Sequence, residues 1–158
     1  MTFRFSRVIA LLIIVFACGS ASAAVPGVSL QSVKGDFDDV RERVVMAIES
    51  RGLVLNYTAY ISNMLERTGK DIGSERKVYG KAELLEFCSA ALSRAMMEAD
   101  PLNIVFCPYS IAVYTLPNEP AKVHVSYRRP PARGSNQSMK ALREVDKLLD
   151  DILRDALK

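Results

Sequence analysis

The side chains with the most chemistry to offer are two cysteines, Cys88 and Cys107, and the lone histidine, His124. The cysteines stand 19 residues apart. A disulfide between them would close that loop and contribute about 3 kcal/mol in the chain-entropy picture. Two other uses stay open. Both could be buried thiols acting as small apolar side chains, since Cys88 falls on an apolar stripe. Or they could form a redox or soft-metal site with His124, where Met96 or Met97 would add thioether ligands suited to Cu(I). No C-x-x-C pair and no helical His-x-x-x-His spacing supports zinc. The expectation is a disulfide ahead of free thiols, with no metal and no cofactor.

Other catalytic arrangements find little support. A Ser-His-Asp system would have to use His124, and no G-x-S-x-G segment presents a serine. Neither a phosphate-cradling G-x-x-x-x-G-K-[ST] loop nor a G-x-G-x-x-G turn occurs. Asp38/Asp39 and Asp150/Asp151 are sequence neighbours on expected helices, so their carboxylates diverge by about 100°. No catalytic residue is expected, and a non-enzyme is favoured. Arg128, Arg129 and Arg133 make the densest basic cluster. It would suit an anion or a docking partner, but a solvated strand end is the simpler reading.

The compartment bears on the thiols. Arg4 and Arg7 precede an uncharged apolar run of 11 residues, Val8 to Cys18, and Ala21-Ser22-Ala23 follows. A membrane span needs about 20 apolar residues, so this run reads as a cleaved export signal with cleavage before Ala24. The alternative is a lipoprotein anchored at Cys18. The mature chain is then periplasmic or secreted, with no transmembrane segment, and it keeps two cysteines where disulfides persist. The full chain has a net charge of +3. Without residues 1–23 it carries 19 basic and 18 acidic side chains, which is not the basic footprint of a nucleic-acid binder.

Several elements must hold these residues in place. Val28 to Lys34 reads as a strand after a Pro-Gly lead-in. Asp36 caps a helix whose apolar face is Phe37, Val40, Val44, Ala47 and Ile48, and Gly52 ends it. Leu53 to Ile61 reads as a strand and Ile61 to Arg67 as a short helix, followed by an exposed connection from Thr68 to Gly80. The spacing of Leu84/Leu85, Cys88, Leu92, Met96 and Ala99 predicts one long helix from Ala82 to the Asp100-Pro101 stop. Tyr109–Leu116 and Ala121–Tyr127 form two strands around Pro117–Pro120, with Val123, Val125 and Tyr127 on one face and Lys122, His124 and Ser126 on the other. Ser138 to Leu157 is a final helix. Its stripe of Leu142, Val145, Leu149, Ile152 and Ala156 must either cover the sheet or dock a second chain. The order is β-α-β-α-β-β-α, an α+β two-layer sandwich with an antiparallel-rich sheet and helices on one side.

Four segments, read in order, resemble the bacterial DUF302 family, a domain of unknown function. They are DFDDVRERVVMAIESRGL (Asp36–Leu53), Phe87-Cys88, Ala99-Asp100-Pro101 and FCPYSIAVY (Phe106–Tyr114). The resemblance covers Val33 to Pro131. It implies a small α+β domain for which self-association is unsurprising, and it carries no activity, cofactor or catalytic residue. Relatives commonly place a cysteine just after the proline of the last segment, whereas here Cys107 precedes Pro108. The chain divides into a signal (1–23), a lead-in (24–32), a DUF302-like domain (33–133) and a linker with an amphipathic helix (134–158). The expected role is a small binding or interaction module with an unknown protein or small-molecule partner, with a homo-oligomer through its sheet or last helix left open. The alternative is a thiol- or metal-linked envelope protein using Cys88 and Cys107.

Overall fold

The computed structural model describes residues 25–131 and 133–158, so the expected signal and Cys18 lie outside the described residues. The elements are strand β1 (Val28–Lys34), helix α1 (Phe37–Glu49), β2 (Val54–Tyr60), α2 (Ile61–Asp71), β3 (Ala82–Cys88), α3 (Ala90–Ala99), a 3₁₀ turn (Pro101–Phe106), β4 (Tyr109–Leu116), β5 (Glu119–Arg128) and α4 (Asn136–Ala156). The five strands form one sheet in the order β1-β5-β4-β3-β2, and every neighbouring pair is antiparallel. The fold is α+β, with α1 and α4 packed together over one face of the sheet and α3 against α4.

Local chemistry sets these elements. The Asp36 carboxylate accepts from the Asp38 and Asp39 N–H groups at 2.8 and 3.3 Å, which satisfies two donors at the start of α1. Gly52 follows α1 with φ +69°, a conformation that side-chain-bearing residues rarely adopt. The five apolar positions expected for α1 are all buried. Burial alternates along β4, and Ile111 and Val113 of β4 and Val123, Val125 and Tyr127 of β5 lie in the core.

The expected long helix from Ala82 divides in two. Its first half is the interior strand β3, in which Leu85 and Phe87 are buried and paired on both sides by β2 and β4. The spacing of Leu84/Leu85, Cys88 and Leu92 fits a helical period. The period-2 burial of Leu85 and Phe87 wins because two neighbouring strands satisfy this backbone. The true helix begins one residue after Ser89, whose hydroxyl accepts from the Leu92 N–H at 3.4 Å. The helix expected to end at Arg67 continues to Asp71, and the apolar run at Ile104–Phe106 is part of the 3₁₀ turn.

Helix α4 resolves the choice left open for its stripe. Leu142, Val145, Leu149, Ile152, Leu153 and Ala156 all lie in the core cluster with the sheet residues. The stripe is covered within this one chain. No helix among the described residues is long and apolar enough to cross a membrane.

Candidate functional site

Cys88 is the last residue of β3, and Cys107 follows the 3₁₀ turn, joined to Pro108 by a cis peptide bond. Their Sγ atoms lie 3.1 Å apart, and both residues are half-buried. The pair closes the end of the sheet where β3 leads into α3 and the 3₁₀ turn leads into β4.

Two hydroxyls extend the pair inward. The Ser93 Oγ of α3 lies 3.8 Å from the Cys107 Sγ and 3.2 Å from the Tyr109 hydroxyl. Burial of the phenol pushes Tyr109 above its ordinary value, so it stays protonated at neutral pH. Burial, with the Cys107 thiol alongside, pushes the Cys88 thiol up to about 11. Ionised sulfur is the nucleophile and the metal ligand, so Cys88 is a weak candidate for either role while it is reduced.

The 3₁₀ turn is firmly held from inside. Asn103 is buried, and its Nδ2 donates to the Met96 carbonyl at 2.8 Å and to the Ser138 Oγ at 2.9 Å. The outer side of the same turn is apolar and exposed, with Leu102, Ile104 and Val105 at 77%, 59% and 66% exposure.

The other candidate ligands do not join the cysteines. His124 is registered with Tyr114, and Tyr114 with Ala82, at the opposite end of β3 from Cys88. That separation is about 20 Å at roughly 3.3 Å per residue. Met96 is buried in the core and Met97 packs against it, as methionines that fill space do. Among the described residues, no group of three or more His, Cys, Asp or Glu side chains could hold a metal.

His124 differs from the surface histidine its strand position suggests. It does lie on the face away from Val123 and Val125, yet it is 7% exposed. Its ring stacks on Tyr114 with centroids 4.9 Å apart, and Tyr79 meets Tyr114 edge-on at 5.4 Å. Neither ring nitrogen has a hydrogen-bond partner among the described residues. The Glu119 Oε2 is 3.6 Å from Nε2, within ion-pair reach but too long for a hydrogen bond.

The arginine cluster is partly structural. Arg129 pairs with Asp146 at 2.8 Å, donates to the Ser29 Oγ at 3.2 Å and lies over the Tyr127 ring. Ser93, Tyr109 and Asn103 are the neighbours that sequence reasoning did not single out. Only Asn103 carried a signal, as a polar residue inside an apolar run.

The sequence profile described as "Domain of unknown function DUF302" matches residues 28–156. The chain belongs to the DUF302 family. The match takes in β1 and all of α4, so it is wider than the Val33–Pro131 stretch on which the resemblance rests. The fold of this DUF302 domain is similar to that of a crystal structure of an uncharacterized conserved DUF302 protein from Bacillus stearothermophilus. The TM-score is 0.69 at 14% identity, covering 85% of this chain and 100% of that one. No curated protein matches the chain.

Proposed function

We propose that this DUF302 protein works outside the cytoplasm as a small binding module, its shape fixed by a disulfide between Cys88 and Cys107. The observation that carries the reading is the 3.1 Å approach of the two sulfurs between neighbouring element ends. A small rotation of the side chains brings this distance to the about 2.05 Å of an S–S bond. The basic start, short apolar run and Ala21-Ser22-Ala23 support export to a compartment where such a bond persists.

The raised Cys88 thiol favours a staple over a catalytic thiol. A thiol–disulfide catalyst keeps a thiolate ready near neutral pH, and burial of Cys88 works against that. The staple ties the 3₁₀ turn to the end of β3 on its outer side, as Asn103 ties it to α3 and α4 on its inner side.

Alkylation of the protein in intact cells tests this. Thiols trapped with a bulky maleimide should show no modification of Cys88 or Cys107 until a reductant is added after denaturation. Ready labelling of both without reductant contradicts the staple.

A further inference from the structure

The edge of the sheet opposite β1 differs from the rest of the surface. β2 pairs only with β3, so one side of its backbone has no partner strand among the described residues. Such an edge is a template for another extended chain. Natural edges are often blunted by lysines or prolines, and β2 (VLNYTAY) has neither. Beside the polar Asn56, its exposed side chains are apolar or aromatic: Val54 at 70%, Tyr57 at 61% and Tyr60 at 57%. A register shift between Leu55 and Tyr57 confines the regular stretch of the edge to Tyr57–Tyr60.

Beside this stretch runs an open cleft of about 450 Å³ between β2 and α2. Tyr57, Tyr60, Ile61 and Met64 give it apolar walls, and Asn63 and Arg67 give it polar ones. Arg67 is its one charged lining residue and has no carboxylate within ion-pair distance among the described residues. An unpaired backbone edge, a wall of aromatics and an uncompensated guanidinium together specify the occupant. Backbone groups select an extended polypeptide, the apolar wall takes alternate side chains, and Arg67 takes a carboxylate.

We infer that the β2–α2 cleft binds an extended segment of a partner polypeptide, which adds as a strand beside Tyr57–Tyr60 and pairs an acidic group with Arg67. The inference rests on the binding-module reading and gives it a place and a ligand class.

The mature protein, oxidised and isotopically labelled, is panned against a random heptapeptide display library, and the enriched peptides are mapped by amide shifts. Expected is enrichment of peptides that alternate apolar or aromatic residues with an Asp or Glu at a fixed position. Their shifts should centre on Tyr57–Tyr60 and the first turns of α2. Arg67→Glu, at an exposed position, should weaken them about tenfold and favour Lys or Arg in panning. Tyr57→Asp should abolish binding, with the amide spectrum otherwise retained. Peptides that map to the Leu102–Val105 turn would overturn the cleft assignment and leave the binding reading standing. Pairing of β2 with a second copy, seen as a dimer that Tyr57→Asp dissociates and peptides do not, would overturn the heterologous partner. Failure to enrich any peptide would overturn the cleft as a polypeptide site and leave the binding reading standing.

Discussion

Asn103 donates from Nδ2 to the Ser138 hydroxyl at 2.9 Å, so one buried amide fastens the 3₁₀ turn to the first turn of α4. The same nitrogen also donates to the Met96 carbonyl, and Ser138 is itself 1% exposed. Nothing else buried in this turn is polar, so the bond holds together three elements around the cysteine pair. Asn103→Ala leaves the Met96 carbonyl and the Ser138 hydroxyl without this partner. A loss of about 1–3 kcal/mol in urea unfolding is expected, with the denaturant slope unchanged. An unaffected midpoint would show that water replaces the amide at no cost.

Helix α4 belongs to the core. Ile152 and Leu149 are 0% and 2% exposed, against the sheet and α1. Ile152→Ala should therefore cost about 2–5 kcal/mol. Deletion of residues 135–158 should abolish cooperative unfolding in circular dichroism. A truncated chain that still unfolds in one sharp transition would mean that α4 is dispensable to the core.

Among the described residues the buried His124 imidazole has no hydrogen-bond partner, a costly state for a polar side chain. Replacement by phenylalanine keeps the stack on Tyr114 and removes the unsatisfied nitrogens. His124→Phe should stabilise the domain by about 1 kcal/mol. A destabilised variant would show that the imidazole has a polar partner in solution.

The cysteines give a pH signature with a definite sign. In the reduced protein, Cys88 has its folded-state pKa raised from 9.0 to about 11, chiefly by burial. Between these values the unfolded chain has lost the thiol proton and the folded chain still holds it. The folded state binds more protons there, so stability falls as pH rises from about 9 to about 11. Tyr114 and Tyr127 are raised mainly by burial too, and they add an alkaline loss common to both redox forms. Urea midpoints across this range should fall more steeply for reduced than for oxidised protein. Identical slopes would mean that the Cys88 thiol is not perturbed by folding.

Much of this architecture was legible in the sequence, and the failures have physical causes. Asp36, the Phe37–Ile48 spacing and Gly52 mark α1 because capping and amphipathicity are local signals. The α4 stripe and the alternation of Val123, Val125 and Tyr127 are equally local. β3 is hidden in the sequence because Leu84/Leu85, Cys88, Leu92 and Met96 satisfy a helical period, while the strand depends on β2 and β4, both distant in sequence. The same cause hid part of the site. Ser93 reaches the Cys107 sulfur and Tyr109 reaches Ser93 only once the strands pair, and His124 stacks on Tyr114, opposite it on β4. Pattern reading locates faces, and it cannot say which faces long-range pairing will cover.

The staple itself has an energetic consequence. A Cys88→Ser, Cys107→Ser double variant should lose about 3 kcal/mol relative to oxidised wild type, the value for a loop of this size. It should match wild type measured in reductant to within about 0.5 kcal/mol. A double variant as stable as oxidised wild type would remove the structural role.

The most direct test is the intact mass of the protein isolated from its own cell envelope without reductant, with peptide mapping of the same sample. The expected species begins at Ala24, is lighter by two hydrogens than its reduced form, and yields a fragment joining Cys88 to Cys107. A chain beginning at Met1 or at a lipidated Cys18, or one with both thiols free, would contradict the account.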